Sequence, residues 1–191
     1  GIVSAAFFLL QKVMLKLKFL LSGGKVKTDT KDCLPYVIFS DSKRYWNVFK
    51  PICDEFEKRK IECEYWTASP DDPALEVPYE YVKADICLAT TPGLDVYQWK
   101  RSKNTKKYVH IVHEIGEVLM YRMFGTDYFD AVLLSGEFQK EGIRKLESMR
   151  NIRKKELVVI GSTYMDSMAE KKKEVAPVSN DIPVVLAAPT R

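Results

Sequence analysis

Short apolar runs closed by small or polar residues alternate along this chain with stretches whose apolar positions recur three or four apart. A solid or period-two apolar run reads as a strand, and the longer spacing reads as one face of a helix. Strands are expected over 36–40, 61–67, 86–89, 108–112, 131–134, 157–160 and 183–188. Between the first two, Tyr45, Trp46, Phe49, Ile52, Cys53 and Phe56 form a helical stripe that Pro51 is expected to break or kink. Further helices are expected over 117–124, 139–149 and 164–174, with 94–99 as a short helical or turn segment.

Strand–helix alternation with short connections predicts the α/β class: a Rossmann-like, mostly parallel sheet with helices on both faces. Several strands end in small or polar residues: Ser40-Asp41, Thr90-Thr91, His113-Glu114, Ser135-Gly136 and Gly161-Ser162. In a parallel sheet such ends converge on one edge and form a cleft, where open α/β sheets bind their ligands. The expected organisation is a helix over 1–22, a polar linker over 23–35 and the Rossmann-like domain over 36–176. Residues 177–191 read as a second linker and the first strand of a truncated further domain.

Residues 2–21 contain no acid, and their polar positions fall within about half a helical wheel, with Phe8, Leu15 and Phe19 intruding on that arc. Lys12, Lys16 and Lys18 argue against a bilayer span. A cationic, aromatic-rich helix of this kind suits the surface of an anionic membrane. A helix packed on a neighbouring domain or subunit is the competing reading. A signal peptide is disfavoured, because the basic residues come late and no small-residue cleavage site follows.

A 191-residue chain that is 46% hydrophobic and 29% charged falls with folded globular proteins, long enough for a full core. The net charge of +4 is spread along the chain rather than gathered in a basic stripe with aromatics, so no nucleic-acid partner is expected. Such a balance suits anionic lipid or phosphorylated small molecules. The four cysteines include no C-x-x-C pair, which leaves no zinc knuckle or redox motif and predicts reduced thiols. Asp71 and Asp72 read as solvated turn residues, and Gly23-Gly24 lacks the Lys-Ser/Thr ending of a phosphate loop. No metal or other cofactor is expected. The basic run 100–107 reads as a solvated surface loop, or as a contact for phosphate-bearing ligands.

The chemistry concentrates in 107–130, where a buried strand runs into His113, Glu114 and Gly116. A titratable His at the carboxyl end of such a strand is a candidate general base. His110, inside the strand, reads as a satisfied core or supporting group. Glu114 either orients His113 or caps the next helix. Thr91, Ser135 and Gly136 either line the cleft or cap helices.

Thr91-Pro92-Gly93-Leu94-Asp95 precedes the basic loop, and Tyr108-Val109-His110-Ile111-Val112-His113 leads toward the expected helix. Tyr121-Arg122, Asp127-Tyr128-Phe129-Asp130, Ser135-Gly136 and a closing Val184-Val185-Leu186-Ala187-Ala188-Pro189-Thr190 follow. In this order the motifs, over roughly 36–191, resemble the CDP-glycerol glycerophosphotransferases of teichoic-acid and capsule synthesis. The resemblance implies the N-terminal half of a GT-B architecture. It implies transfer of glycerol or ribitol phosphate from a CDP-activated donor, with release of CMP. The acceptor would be the hydroxyl of a membrane-linked molecule, reached from the cytoplasmic face. It further implies that His113 is the acceptor-side base and that a C-terminal domain holds the donor, so this part alone is expected to be inactive. Thr91, Gly93, Glu114, Gly116, Arg122, Ser135 and Gly136 become candidate substrate contacts, with Gly116 and Arg122 placed to meet phosphoryl oxygens. The family's better-known members follow this His directly with Gly, whereas Glu114 and Ile115 intervene here. The alternatives are a nucleotide-sugar GT-B glycosyltransferase or epimerase, and a non-catalytic α/β ligand-binding domain.

Overall fold

The computed structural model describes residues 33–67, 82–96, 100–121 and 123–175. The expected helix over 1–22, most of the first linker, the acidic loop, Arg122 and 177–191 lie outside these residues. Six strands form one sheet: β1 (Leu34–Ser40), β2 (Cys63–Thr67), β3 (Ala84–Ala89), β4 (Thr105–Ile111), β5 (Ala131–Leu134) and β6 (Glu156–Val159). Their order is β2-β1-β3-β4-β5-β6, and every pair is parallel. The fold is thus a Rossmann-like α/β sheet, consistent with the N-terminal half of a GT-B architecture. The order reverses direction between β1 and β3, which makes their carboxyl ends the switch point of the sheet.

Strand alternation sorts the core onto two faces. Ile38, Leu88, Val109, Ile111 and Ala131 pack under helix α1 (Trp46–Lys58), chiefly against Phe49. Val37, Phe39, Cys87, Ala89 and Tyr108 pack on the other side with Leu94 and Phe129. Farther along that side, helix α2 (Phe138–Arg150) sets Ile143 against Val132 and Leu134. Helix α3 (Thr163–Glu174) ties back to α1, because Thr163 Oγ1 donates to the Val48 carbonyl at 3.1 Å.

Three expectations change. Pro51 does not break the first helical stripe; it lies inside one continuous helix, preceded by a 3-10 turn over Lys43–Tyr45. An interior proline costs about 3 kcal/mol. Burial of Phe49, with partial burial of Val48, Ile52 and Phe56, returns roughly 1.5–3 kcal/mol for each fully buried side chain and outweighs it.

The helix expected over 117–124 is absent. A single 3-10 turn, Val118–Met120, is followed by turns, and Phe124 adopts a left-handed φ of 64°. Val118 is buried but Leu119, Met123 and Phe124 are exposed, so no continuous apolar stripe exists to hold a helix. The third change concerns the basic run, whose last three residues belong to β4. There Lys106 pairs with Asp85 of the neighbouring strand at 2.6 Å.

The end of the sheet where β5 and β6 begin is locked by buried or half-buried ion pairs. Asp130 accepts from Arg101 Nη1 at 2.7 Å, from Arg153 Nη2 at 2.6 Å and from the Tyr108 backbone N–H at 2.8 Å. Asp127 accepts from Arg150 at 2.7 Å. The Asp127-Tyr128-Phe129-Asp130 motif therefore supplies latches. Glu147 is buried and accepts from Lys155 N at 2.8 Å and Arg144 Nη1 at 2.6 Å. Burial alone would raise its pKa, but these donors and the Lys155 charge hold it below the usual carboxylate range. No helix among the described residues is long and apolar enough to cross a membrane.

Because Lys155 is buried beside it, removing Glu147 strands a charge in the interior. Glu147→Ala is expected to cost about 3–5 kcal/mol of stability, read from urea denaturation. Arg153→Ala, at an exposed partner of Asp130, is expected to cost under about 1 kcal/mol in the same assay.

Candidate functional site

The carboxyl ends of all six strands lie along one edge, and side-chain-to-backbone bonds fasten several of their loops together. Thr91 Oγ1 accepts from the Asp41 backbone N–H at 3.1 Å, joining the loops after β3 and β1. Ser135 Oγ donates to the Glu114 carbonyl at 3.2 Å, joining the loops after β5 and β4. Gln139, wholly buried, donates from Nε2 to the Gly116 carbonyl at 2.8 Å and accepts from Ser135 N at 2.9 Å. The 113–117 segment is thus held in place although it has no regular structure.

His113 stands on this rim. Its ring packs against Tyr45, centroid to centroid 4.6 Å, and its side chain keeps 13% of its surface exposed. Nε2 lies 3.5 Å from Glu114 Oε1, while Nδ1 is buried without a hydrogen-bond partner. The ring lines a crevice between α1 and α3, walled by Val48, Ile52, Ile111, Val112, Ile160, Gly161, Ser162, Thr163 and Tyr164. The enclosed space is about 10 Å³, room for one water, and the crevice opens to solvent beyond it. Burial pushes the His113 pKa below 6.5, with Glu114 and Asp41 opposing and Arg44 adding to the depression. The imidazole is therefore neutral at pH 7.

His110 is core, as expected, but not satisfied. It is fully buried between the rings of Tyr121 and Phe129, at 5.3 and 5.0 Å, and neither nitrogen makes a hydrogen bond. Burial first, then the neighbouring His113, push its pKa down to about 3, opposed only by the nearby Ala89 backbone. Thr90 Oγ1 and Tyr121 OH are likewise buried without partners. Burial raises the Tyr121 phenol, and Glu114 and Tyr45 reinforce this, which places that hydroxyl beside the His113 site.

The structure brings His113, Glu114, Gly116 and Ser135 together, with Thr91 at the adjoining switch point. Of these, His113 alone lines the crevice. Thr91 and Ser135 act as loop ties. Gly93, at φ 84°, turns the chain, and its N–H donates to the Gly125 carbonyl at 2.7 Å. Gly136 sits under the Phe138 ring, which a Cβ there would meet at 2.5 Å, whereas Gly116 faces open space. Arg122 lies outside the described residues. Nothing in the sequence marks the parts of Tyr45, one residue of the helical core stripe, or of Gln139, a polar position on an ordinary helix, and Gly161-Ser162 is marked there only as a strand end. Among the described residues no three His, Cys, Asp or Glu side chains gather as metal ligands.

Compared with protein-family models, with curated proteins and with solved structures, the chain matches none. The fold itself gives the class: a Rossmann-like parallel α/β domain, consistent with the N-terminal half of a GT-B architecture.

Gln139→Ala is expected to lower stability by about 2 kcal/mol and to speed amide exchange across 114–117, measured by hydrogen–deuterium exchange mass spectrometry. The two histidines also predict an acid limb. The unfolded chain protonates both near 6.5, so the stability gained by keeping them neutral is complete above that pH. It is lost as pH falls from 6.5 toward about 3, the range set by His110. Denaturation midpoints of wild type and His110→Phe between those limits should converge in slope only if His110 is not the group responsible.

Proposed function

We propose that this chain is the acceptor-side domain of a GT-B-type transferase that moves glycerol or ribitol phosphate from a CDP-activated donor to a membrane-linked hydroxyl. The product would be a teichoic-acid-like or capsule polymer. The observation that carries the reading is His113: a neutral imidazole on the carboxyl edge of a parallel sheet, lining a crevice, with a carboxylate at 3.5 Å. An alcohol is a poor nucleophile at neutral pH, and a positioned neutral base contributes typically about a hundred- to ten-thousand-fold.

Nδ1 is buried, so Nε2 is the nitrogen a substrate can reach, and it accepts a proton once Glu114, which favours a proton on Nε2, turns aside for the acceptor hydroxyl. As the acceptor oxygen bonds to phosphorus, its proton passes to Nε2. The bond from phosphorus to the bridging oxygen breaks, and that oxygen leaves with its electron pair on CMP. Glu114, beside Nε2, would stabilise the imidazolium so formed. Arg122 and the N–H of Gly116 remain candidates for the phosphoryl oxygens. A second domain would supply the donor site, as the family resemblance implies. The cationic, acid-free sequence of 2–21 supports work at an anionic membrane surface, and the family resemblance implies the cytoplasmic side. The Rossmann-like fold supports a nucleotide-sugar donor equally, and the donor assay separates the two.

In the full natural protein with membranes as acceptor, CMP release from CDP-glycerol or CDP-ribitol is expected, and His113→Ala should lower kcat at least about a hundredfold. The variant should melt normally, since the ring lies at the rim. Undiminished turnover by that variant would remove His113 from the chemistry, and turnover of UDP-sugars alone would move the protein to the glycosyltransferases.

A further inference from the structure

The turn between β1 and α1 carries a cation whose setting differs from that of its counterparts. Among the described arginines, Arg59, Arg101, Arg144, Arg150 and Arg153 each pair with a carboxylate. Arg44 pairs with none. It is exposed, and its guanidinium sits over the Tyr45 ring at 5.2 Å. The Tyr45 ring also packs against His113, at 4.6 Å. Guanidinium, phenol ring and imidazole thus follow one another, and the imidazole at the end of this row lines the crevice. A guanidinium with no carboxylate on it keeps its N–H donors for another anion, and its fork matches two oxygens of a phosphate.

We infer that Arg44, held on Tyr45 beside His113, binds the phosphate of a phosphorylated polyol at the acceptor end and so sets acceptor specificity. This rests on the acceptor-side reading of His113 and adds a ligand group and a residue to it. The acceptor hydroxyl then lies at the imidazole while the phosphate already in the chain lies at Arg44. An uncharged alcohol of the same size lacks the second contact.

The electrostatics of the rim give the contact a consequence. The groups around the His113 ring are Asp41, Arg44 and Tyr45 from the β1–α1 turn, Glu114 from its own loop, His110 from β4 and Tyr164 from α3. The Tyr121 hydroxyl lies behind Glu114 and Tyr45. Arg44 is the one fixed positive charge in this set, and after burial it helps to keep the imidazole neutral. A phosphate on Arg44 cancels that repulsion and adds a negative charge nearby. Both effects favour the protonated ring. The base becomes stronger when the acceptor is seated, and in the free protein it stays neutral.

The chain contains two histidines, and His110 is buried, so ring resonances of His113 can be followed alone. Titration by NMR is expected to show the His113 pKa rising by about one unit on saturation with glycerol 3-phosphate, and not with glycerol. Arg44→Gln should weaken glycerol 3-phosphate binding at least about tenfold, with Arg44→Lys between, while thermal melting is unchanged because Arg44 is exposed. Inorganic phosphate should produce the same shift more weakly. A shift with phosphatidylglycerol vesicles alone, or equal binding by Arg44→Gln, would overturn the inference. In the full natural protein, Arg44→Gln should raise KM for the acceptor with kcat little changed. If phosphate binds through Arg44 but no CDP-linked donor is turned over, the contact stands and the transferase reading falls. If turnover proceeds through His113 and Arg44→Gln leaves KM unchanged, the contact falls alone.

Discussion

Parallel pairing is the constraint from which the rest follows. Each strand must be carried back across the sheet before the next begins, so every strand points its carboxyl end the same way. The strands of this sheet accordingly have one edge at which they start and one at which they finish. The starting edge is chemically closed. Asp130, Asp127 and Glu147 take hydrogen bonds from arginines, from Lys155 and from backbone N–H groups. The finishing edge is different in kind. Its loops are tied by neutral hydrogen bonds through Thr91, Ser135 and Gln139, while Thr90, His110, Tyr121 and one nitrogen of His113 lack protein partners. A buried polar atom left unpaired costs about 1–3 kcal/mol. Such a cost is tolerated mainly where a site requires it, and these four residues gather about the ends of β3 and β4.

The sheet was legible in the sequence because its signals are local. Residues 131–134 are a compact apolar run bounded by Asp130 and Ser135, and the strand occupies those four positions. The helices after β5 and β6 follow from periodicity and cap residues, and Ser162 does accept from Met165 N. The two failures among the helices have one cause. At Pro51 a local rule yielded to burial, since α1 lies across the central strands and gains more from Phe49 than it loses at one backbone bond. At 117–124 favourable helix formers such as Leu119 and Met123 met no surface to cover, and the chain settled into turns anchored by Val118, Asp127 and Phe129. Propensity ranked both segments in the wrong order because tertiary contact decides between them.

The site was half legible. A His at a strand end can be found by reading, because strand ends in a parallel sheet are known to converge. What surrounds the His cannot, since the crevice is closed by α1 and by the turn before α3, elements some sixty and fifty residues away in either direction. Gln139 illustrates the limit. Nothing marks it among the polar residues of its helix, yet its amide holds both the loop that carries His113 and the loop that follows β5.

The charges around His113 explain why a buried cationic form is avoided without the ring being sealed away. Full burial, as at His110, drives an imidazole down to about 3 and removes it from useful titration. His113 lies just past the end of that strand, at the rim, where partial exposure and the Glu114 carboxylate temper the desolvation. A base must be neutral before it accepts a proton and tolerably stable after, and those demands pull in opposite directions. Three residues of chain, from inside β4 to the loop just past its end, separate a histidine that can serve only as packing from one that can satisfy both.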